Sequence, residues 1–299
     1  MIVVTGATGR TGRRVTEALL TTGVKVRAVG RYSDKLAPLA RLGAEPFVGG
    51  HEDLSNLTKA FSGATAAYLL LPEDLSQADL RAHQERVSDA FAAAVTSAGV
   101  PFVVNLSSLG AQHAEGTGPI VGLHTQEQKL NQVVGLNVLH IRAAYFMDNL
   151  YNVIAPLSAA GILPGGMRGD ARMPWIAARD IGTYAASRLA TLDFLASSTQ
   201  ELHGPRDLSF DEAASIVGKA IGRPEIAYVQ APPPVLEATL LGAGLPKRSA
   251  ELILEMWVGA NSGLMSPQEA RSARNTTTTS LESFTSEYFV PAYNRATGN

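Results

Sequence analysis

Cysteine is absent from this chain of 299 residues. That excludes disulfides, thiolate nucleophiles and Cys-based metal sites. An excess of one charge is absent too: 25 basic residues against 27 acidic leave a net charge of −2. Without a basic excess or a long basic run there is no electrostatic footprint for nucleic acid. No apolar run reaches bilayer-spanning length, and no basic segment precedes the first apolar run, so neither a membrane anchor nor a signal peptide is expected. A cytoplasmic location is the expectation. Low-complexity sequence is confined to Pro232–Pro234 and Thr276–Thr279, short enough for loops or helix starts. What is plentiful is core material, with 45 % hydrophobic and only 17 % charged residues. This suits one large α/β unit with an appended lobe, or two small domains.

The most informative stretch is Ile2–Gly12, where a short β-branched run leads into Gly6, Gly9 and Gly12. Ile2–Val4 reads as a buried strand and Arg10–Leu20 as a helix with Val15, Ala18 and Leu19 on its inner face. Gly6 allows the sharp turn, Gly9 lets backbone approach a pyrophosphate, and Gly12 lets helix pack close to strand. The helix N-terminus then offers unpaired N–H groups to an anion. With Thr8, Arg10 and Thr11 in the same turn, this predicts a dinucleotide site.

The second strand, Lys25–Val29, runs into Gly30-Arg31-Tyr32-Ser33-Asp34-Lys35. An NAD site usually carries an acid there for the ribose hydroxyls. Arg31 takes that place, with Lys35 one turn on, and a guanidinium grips a 2′-phosphate bidentately. NADP(H) is therefore expected over NAD(H), with Asp34 the one acid near enough to blunt the preference.

Strands and helices keep alternating: helix Leu36–Leu42, strand Glu45–Val48, helix Leu54–Phe61, strand Ala66–Leu71, helix Gln77–Ala98, strand Phe102–Leu106, helix Gln126–Val134 and strand Leu136–Arg142. This spacing predicts an α/β doubly wound parallel sheet of the Rossmann kind. Residues 1–150 are expected to bind the dinucleotide. Residues 151–299 are expected to form a smaller, mostly helical lobe over the substrate, with some later segments returning to the sheet. In it, Leu150–Ala160, Arg179–Leu192 and most of 233–290 read as helix. Gln200–His203 and Ile226–Gln230 read as strands, and Ser209 with Glu212 reads as a capping box. Ligands bind at the carboxyl ends of such strands, which selects Gly6–Gly12, Arg31, Gly49–Asp53, Leu71–Pro72, Ser107–Gly110 and Ala143–Asn149.

Thr5–Gly12, Asn105–Gly110, Arg142–Leu150, Met173–Gly182 and Glu201–Pro205 together resemble the NmrA-like branch of the atypical short-chain dehydrogenases/reductases, over essentially the whole chain. The resemblance implies NADP(H) binding. It leaves open whether the protein is a reductase of quinones, azo compounds or triphenylmethane dyes, or a redox-sensing regulator without turnover. Relatives usually carry Gly-Asp after the third strand. Here Gly49-Gly50-His51-Glu52-Asp53 stands there, so Asp53 or His51 takes over the adenine contact, or it is lost. The Tyr-x-x-x-Lys pair of ordinary short-chain dehydrogenases is missing. The resemblance instead brings His124 to the position of a lysine or histidine in relatives, as a hydrogen-bond partner or proton donor near the nicotinamide ribose.

Ser107, at the end of the fifth strand, is the second candidate for chemistry, hydrogen-bonding cofactor or substrate carbonyl. It has no Gly-x-Ser-x-Gly elbow around it and so is not a nucleophile. Tyr145 and Phe146 are placed to flank the nicotinamide, with Asn149 one turn on. Trp175, Trp257, Met147, Met256 and Met265 are expected to line the lid or its core, which suits a flat aromatic substrate. His113, Glu115 and His124 match no ligand spacing, so no metal is expected. Hydride transfer to a quinone needs little acid–base help, and is compatible with the loss of Tyr-x-x-x-Lys; alcohol oxidation or sugar-nucleotide epimerisation is less so. The reading is an NADPH-dependent oxidoreductase acting on a quinone, azo or similar conjugated aromatic acceptor, with a non-catalytic NADP(H) sensor as the alternative. A homodimer is compatible with either.

Overall fold

The computed structural model describes residues 1–298. In its first half the order is β1 (Ile2–Val4), α1 (Arg10–Thr21), β2 (Val26–Gly30), α2 (Ser33–Arg41), β3 (Glu45–Val48), α3 (Leu54–Phe61), β4 (Ala66–Leu70), α4 (Leu80–Ala98), β5 (Phe102–Ser108), α5 (Val121–Asn131) and β6 (Asn137–Ala143). There follow β7 (Tyr145–Phe146), α6 (Ile154–Ala160), β8 (Ile162–Gly165), β9 (Met173–Ile176), α7 (Ala178–Thr191), β10 (Ser197–Leu202), β11 (Asp207–Leu208), α8 (Phe210–Ala220) and β12 (Ala227–Gln230). The chain closes with α9 (Pro233–Gly242), α10 (Lys247–Asn261), α11 (Leu281–Phe284) and α12 (Val290–Thr297).

Seven parallel strands form the central sheet in the order β10-β6-β5-β4-β1-β2-β3, the doubly wound Rossmann arrangement. Side chains alternate across it, as the period of a strand demands. Val4, Tyr68, Val104 and Ile141 face a core shared with α1, α2 and α7, while Val3, Leu69, Val103 and Val138 face a core under α3, α4 and α5. The strands are apolar on both faces because helices cover both. Two later elements complete this unit: β10 pairs with β6 along Ser197–Leu202, and α7 packs on α1. That packing is close because Gly182 faces Arg14 and the Thr11 carbonyl, where a Cβ would collide.

A third core joins Trp175, Phe210, Tyr228, Phe284 and Phe289, between small sheets β11-β9-β7 and β12-β8 and helices α6, α8, α11 and α12. The Ser209–Glu212 capping box forms as the sequence predicts. The largest differences from expectation lie at α5 and in the chain after α10. Gly118–Ile120 form a 3-10 turn that runs directly into α5, so the helix starts at Val121 rather than Gln126. Its first turns hold Gly, Thr and Val, weak helix formers, yet packing of this turn against α10 stabilises them. Residues 262–280 form an irregular strap of turns rather than helix. The buried Glu201 carboxylate pins it by accepting the N–H groups of Gln268 (2.9 Å) and Glu269 (2.9 Å). Among the described residues no helix is long and apolar enough to cross a membrane.

Candidate functional site: a glycine turn and an apolar cleft

At the carboxyl end of β1 the chain turns through Thr5–Gly9. Thr5 fixes the turn, donating its hydroxyl to the Tyr68 carbonyl (3.0 Å) and accepting the Leu70 N–H (3.1 Å). Gly6 has φ +59°, a conformation that favours glycine. A side chain at Gly12 would collide with the Gly6 carbonyl. Helix α1 then begins with Gly9 at its N-cap, no side-chain cap and no acid in its first turn. Its first N–H groups and the positive end of its dipole are left for an anion, and this cradle fits a dinucleotide pyrophosphate.

The polar residues of the turn go in different directions. Thr8 is exposed. Thr11 is buried and accepts the Tyr68 hydroxyl (3.0 Å), so only its backbone is left for a ligand. Arg10 donates to the Asp148 carbonyl (2.8 Å) and lies 5.2 Å over the Tyr151 ring, tying the turn to the second half of the chain. Asp148 in turn accepts the Ala178 N–H (2.8 Å) and so caps α7 from thirty residues away. Burial pushes its carboxyl up.

At the end of β2, Arg31, Tyr32 and Lys35 are exposed together. The guanidinium lies 5.8 Å and the ammonium 5.2 Å from the Tyr32 ring centroid, so both cations gather on one face of the fold. Asp53 caps α3, accepting the Asn56 N–H (3.0 Å) and the Asn56 amide (2.9 Å). His51 stands edge-on to Phe91 with its Nε2 buried and unpartnered. Burial, reinforced by the charges of Arg31 and His83, holds its pKa down to about 4, so it is a neutral ring.

Beside the turn opens a cleft of about 340 Å³. Gly6 packs toward Leu70, which with Leu71 lines the cleft at the end of β4. Ser107 and Ser108 line it from β5, and Ala144, Tyr145 and Phe146 from the chain after β6. Met256, Trp257 and Ala260 of α10 and Met265 of the strap form the roof. Met147 and Trp175, expected to line the lid or its core, belong to the third core. Tyr145 lies edgewise on Trp175 (4.7 Å) and Phe210 (5.4 Å), and burial pushes its hydroxyl up to about 12. Pro72 follows Leu71 but is not among the cleft walls.

Ser107 is held by a buried ion pair. Its hydroxyl donates to Glu127 Oε1 (2.5 Å), and the Glu127 carboxylate is bound bidentately by Arg142, at 3.1 Å from Nε and 2.7 Å from Nη2. Glu127 is only 2 % exposed. With its proton committed to a carboxylate, Ser107 presents lone pairs to the cleft and acts there as an acceptor. His124 follows Leu123 on α5 but is not among the cleft residues. Its Nδ1 donates to the Ala111 carbonyl (2.8 Å), fixing the loop after β5. Sequence reasoning did not single out Glu127, Arg142, Glu73 or Gln84. The first two are fifteen residues apart on different elements, and charged residues so placed resemble a solvated surface until the fold buries them.

The NmrA-like family model matches residues 1–284, and the chain belongs to that family. It is 27 % identical over 263 residues to a (4-alkanoyl-5-oxo-2,5-dihydrofuran-3-yl)methyl phosphate reductase of Streptomyces griseus, covering 84 % of this chain and 89 % of that one. It is 28 % identical over 268 residues to quinone oxidoreductase 2 of Escherichia coli, covering 88 % and 89 %. The crystal structure of NADPH-dependent quinone oxidoreductase QOR2 of E. coli with NADPH superposes with a TM-score of 0.79, at 24 % identity and 97 % and 100 % coverage. The negative transcriptional regulator NmrA, in complex with NAD, shares the fold with a TM-score of 0.73 at 18 % identity, covering 100 % and 98 %.

Proposed function

We propose that this protein is an NADPH-dependent reductase of a quinone or similar conjugated aromatic acceptor. The observation that carries the reading is the apolar cleft at the carboxyl ends of β4, β5 and β6, directly beside a glycine turn built for a dinucleotide. The reductase names of the two curated relatives support it. In this reading residues 1–150 hold the cofactor, and later residues supply the roof. Gly6, Gly9 and Gly12 with the first N–H groups of α1 take the pyrophosphate, and Arg31 with Lys35 takes the 2′-phosphate.

Bound NADPH supplies a hydride, and the acceptor takes it with one proton to reach its two-electron reduced form. The chain's own part is placement. Leu71, Tyr145, Phe146 and the methionine roof hold a flat ring system and keep water out. Ser107, as an acceptor, orients a carboxamide or hydroxyl donor. His124 acts through the Ala111 carbonyl on the loop after β5. NADPH oxidation followed by absorbance with a panel of quinones, azo dyes and triphenylmethane dyes tests the reading, alongside calorimetric titration of NADP⁺ and NADPH. Turnover with any acceptor supports it; tight cofactor binding with no turnover across the panel replaces it with the sensor reading.

A further inference from the structure

Quinone reduction asks only for an apolar slot beside the cofactor, yet this cleft also has an acidic edge made of hydrogen-bond acceptors. Among the described residues that line it there is no Lys, Arg or His, and Glu73 is the only carboxylate. Glu73 stands just beyond Leu71 at the edge of the cleft, where it is exposed. Gln84 of α4, 4 % exposed, lines the same cleft. Its amide donates to the Pro119 carbonyl (2.9 Å), while its Oε1 is buried without a partner. Gly122 leaves room for that amide, since a Cβ there would run into it. Ser107 adds a third set of lone pairs because its proton belongs to Glu127. The other amide on the wall, Asn149, is engaged with Tyr145.

We propose that this edge sorts acceptors by charge: Glu73, at the edge of a cleft lined by no cation, admits aromatic acceptors that carry no negative charge and rejects anionic ones. The ligand class rests on the reductase reading; the selection itself is a property of the cleft. An anionic group would leave water for an apolar wall that holds no cation and would meet a like charge at its edge. A phosphate ester, the substrate for which the Streptomyces griseus relative is named, would find no cation here.

Trp257 lines the cleft and Trp175 is buried in the third core, so quenching of Trp257 fluorescence reports occupancy whether or not turnover follows. The experiment titrates the full chain, with NADP⁺ bound, with 2-methyl-1,4-naphthoquinone and with 1,4-naphthoquinone-2-sulfonate, and then measures NADPH oxidation with each. The uncharged quinone is expected to bind at least about tenfold more tightly. Glu73→Gln is expected to narrow that ratio about fivefold by strengthening the sulfonate, and Glu73→Lys to reverse it. Equal affinities in the unmodified protein, no binding of either quinone, or a Glu73→Gln change that moves both alike would each overturn the proposal. Charge-selective binding without NADPH oxidation would uphold it and remove the reductase reading instead.

Discussion

The two ends of the ligand-binding rim follow opposite electrostatic rules. At the β2 end, the proposed place of the cofactor's phosphate, Arg31 and Lys35 stand in solvent around Tyr32, where cations are inexpensive to keep. At the β4–β6 end the walls are apolar, the one carboxylate among the described lining residues is Glu73, and the guanidinium of Arg142 is spent beneath Ser107 on Glu127. The difference shows how one sheet edge serves two chemistries. Exposed charge gives affinity for a phosphate, whereas a dry pocket with few oriented polar groups gives placement.

The largest effect is expected from breaking the support under the dry end. Glu127→Ala leaves Arg142 with no counter-charge and frees the Ser107 hydroxyl; loss of a buried partner of this kind costs about 3–5 kcal/mol. Urea unfolding measures it, and a loss below about 1 kcal/mol would mean that the pair is solvated. Next in size is an acid effect. His140 is 1 % exposed, bonded to Asn105 (3.0 Å) and Asn131 (2.9 Å), and burial holds its pKa down to about 4 from an ordinary 6.5. Because the unfolded chain takes up the proton first, the stabilisation is complete above about 6.5 and is lost as pH falls toward about 4. That amounts to roughly 3 kcal/mol for His140, with His51 adding in the same direction. Urea midpoints that stay flat across this window would show that the ring is already charged in the folded protein.

Gly12→Ala acts at the hinge between the two ends. The new Cβ meets the Gly6 carbonyl, and relieving the overlap costs about 1–3 kcal/mol and opens the pyrophosphate cradle. Calorimetry is expected to find little NADP⁺ binding left, and an unaltered affinity would place the pyrophosphate elsewhere. Arg31→Ala tests the wet end alone: the preference for NADPH over NADH falls by about ten- to a hundredfold, with no change in the fluorescence response to quinones. Unchanged selectivity would remove the 2′-phosphate clamp. The smallest effect is assigned to His124→Ala, which loses one bond to a carbonyl, worth about 0.5–1.5 kcal/mol. A turnover defect of a hundredfold or more, with normal stability, would instead return His124 to the reacting atoms.

Much of the cofactor end is legible because its signals are local. A β-branched run, three glycines at fixed spacing and an amphipathic helix lie within twenty residues of one another, and backbone geometry leaves them little choice. Arg31 is found by counting from the second strand. The cleft is different. Met256 and Met265 reach Leu70 and Tyr145 only after α10 and the strap fold back over the sheet, and no local pattern marks that approach. Asp148 caps a helix whose own N-cap, Ala177, offers nothing. Charged residues such as Glu127 and Arg142 resemble surface until two elements enclose them.

The sequence by itself determined the parallel sheet, the glycine turn and the cation pair at its rim, because strand period, glycine backbone freedom and side-chain charge act over a few residues. Only the tertiary structure decided the rest. It buried Glu127 against Arg142, turned Ser107 into an acceptor, left His124 off the cleft wall and made Glu73 the single carboxylate among the described residues lining an apolar cleft. Burial and the pairing of distant charges arise from contacts between elements far apart in the chain.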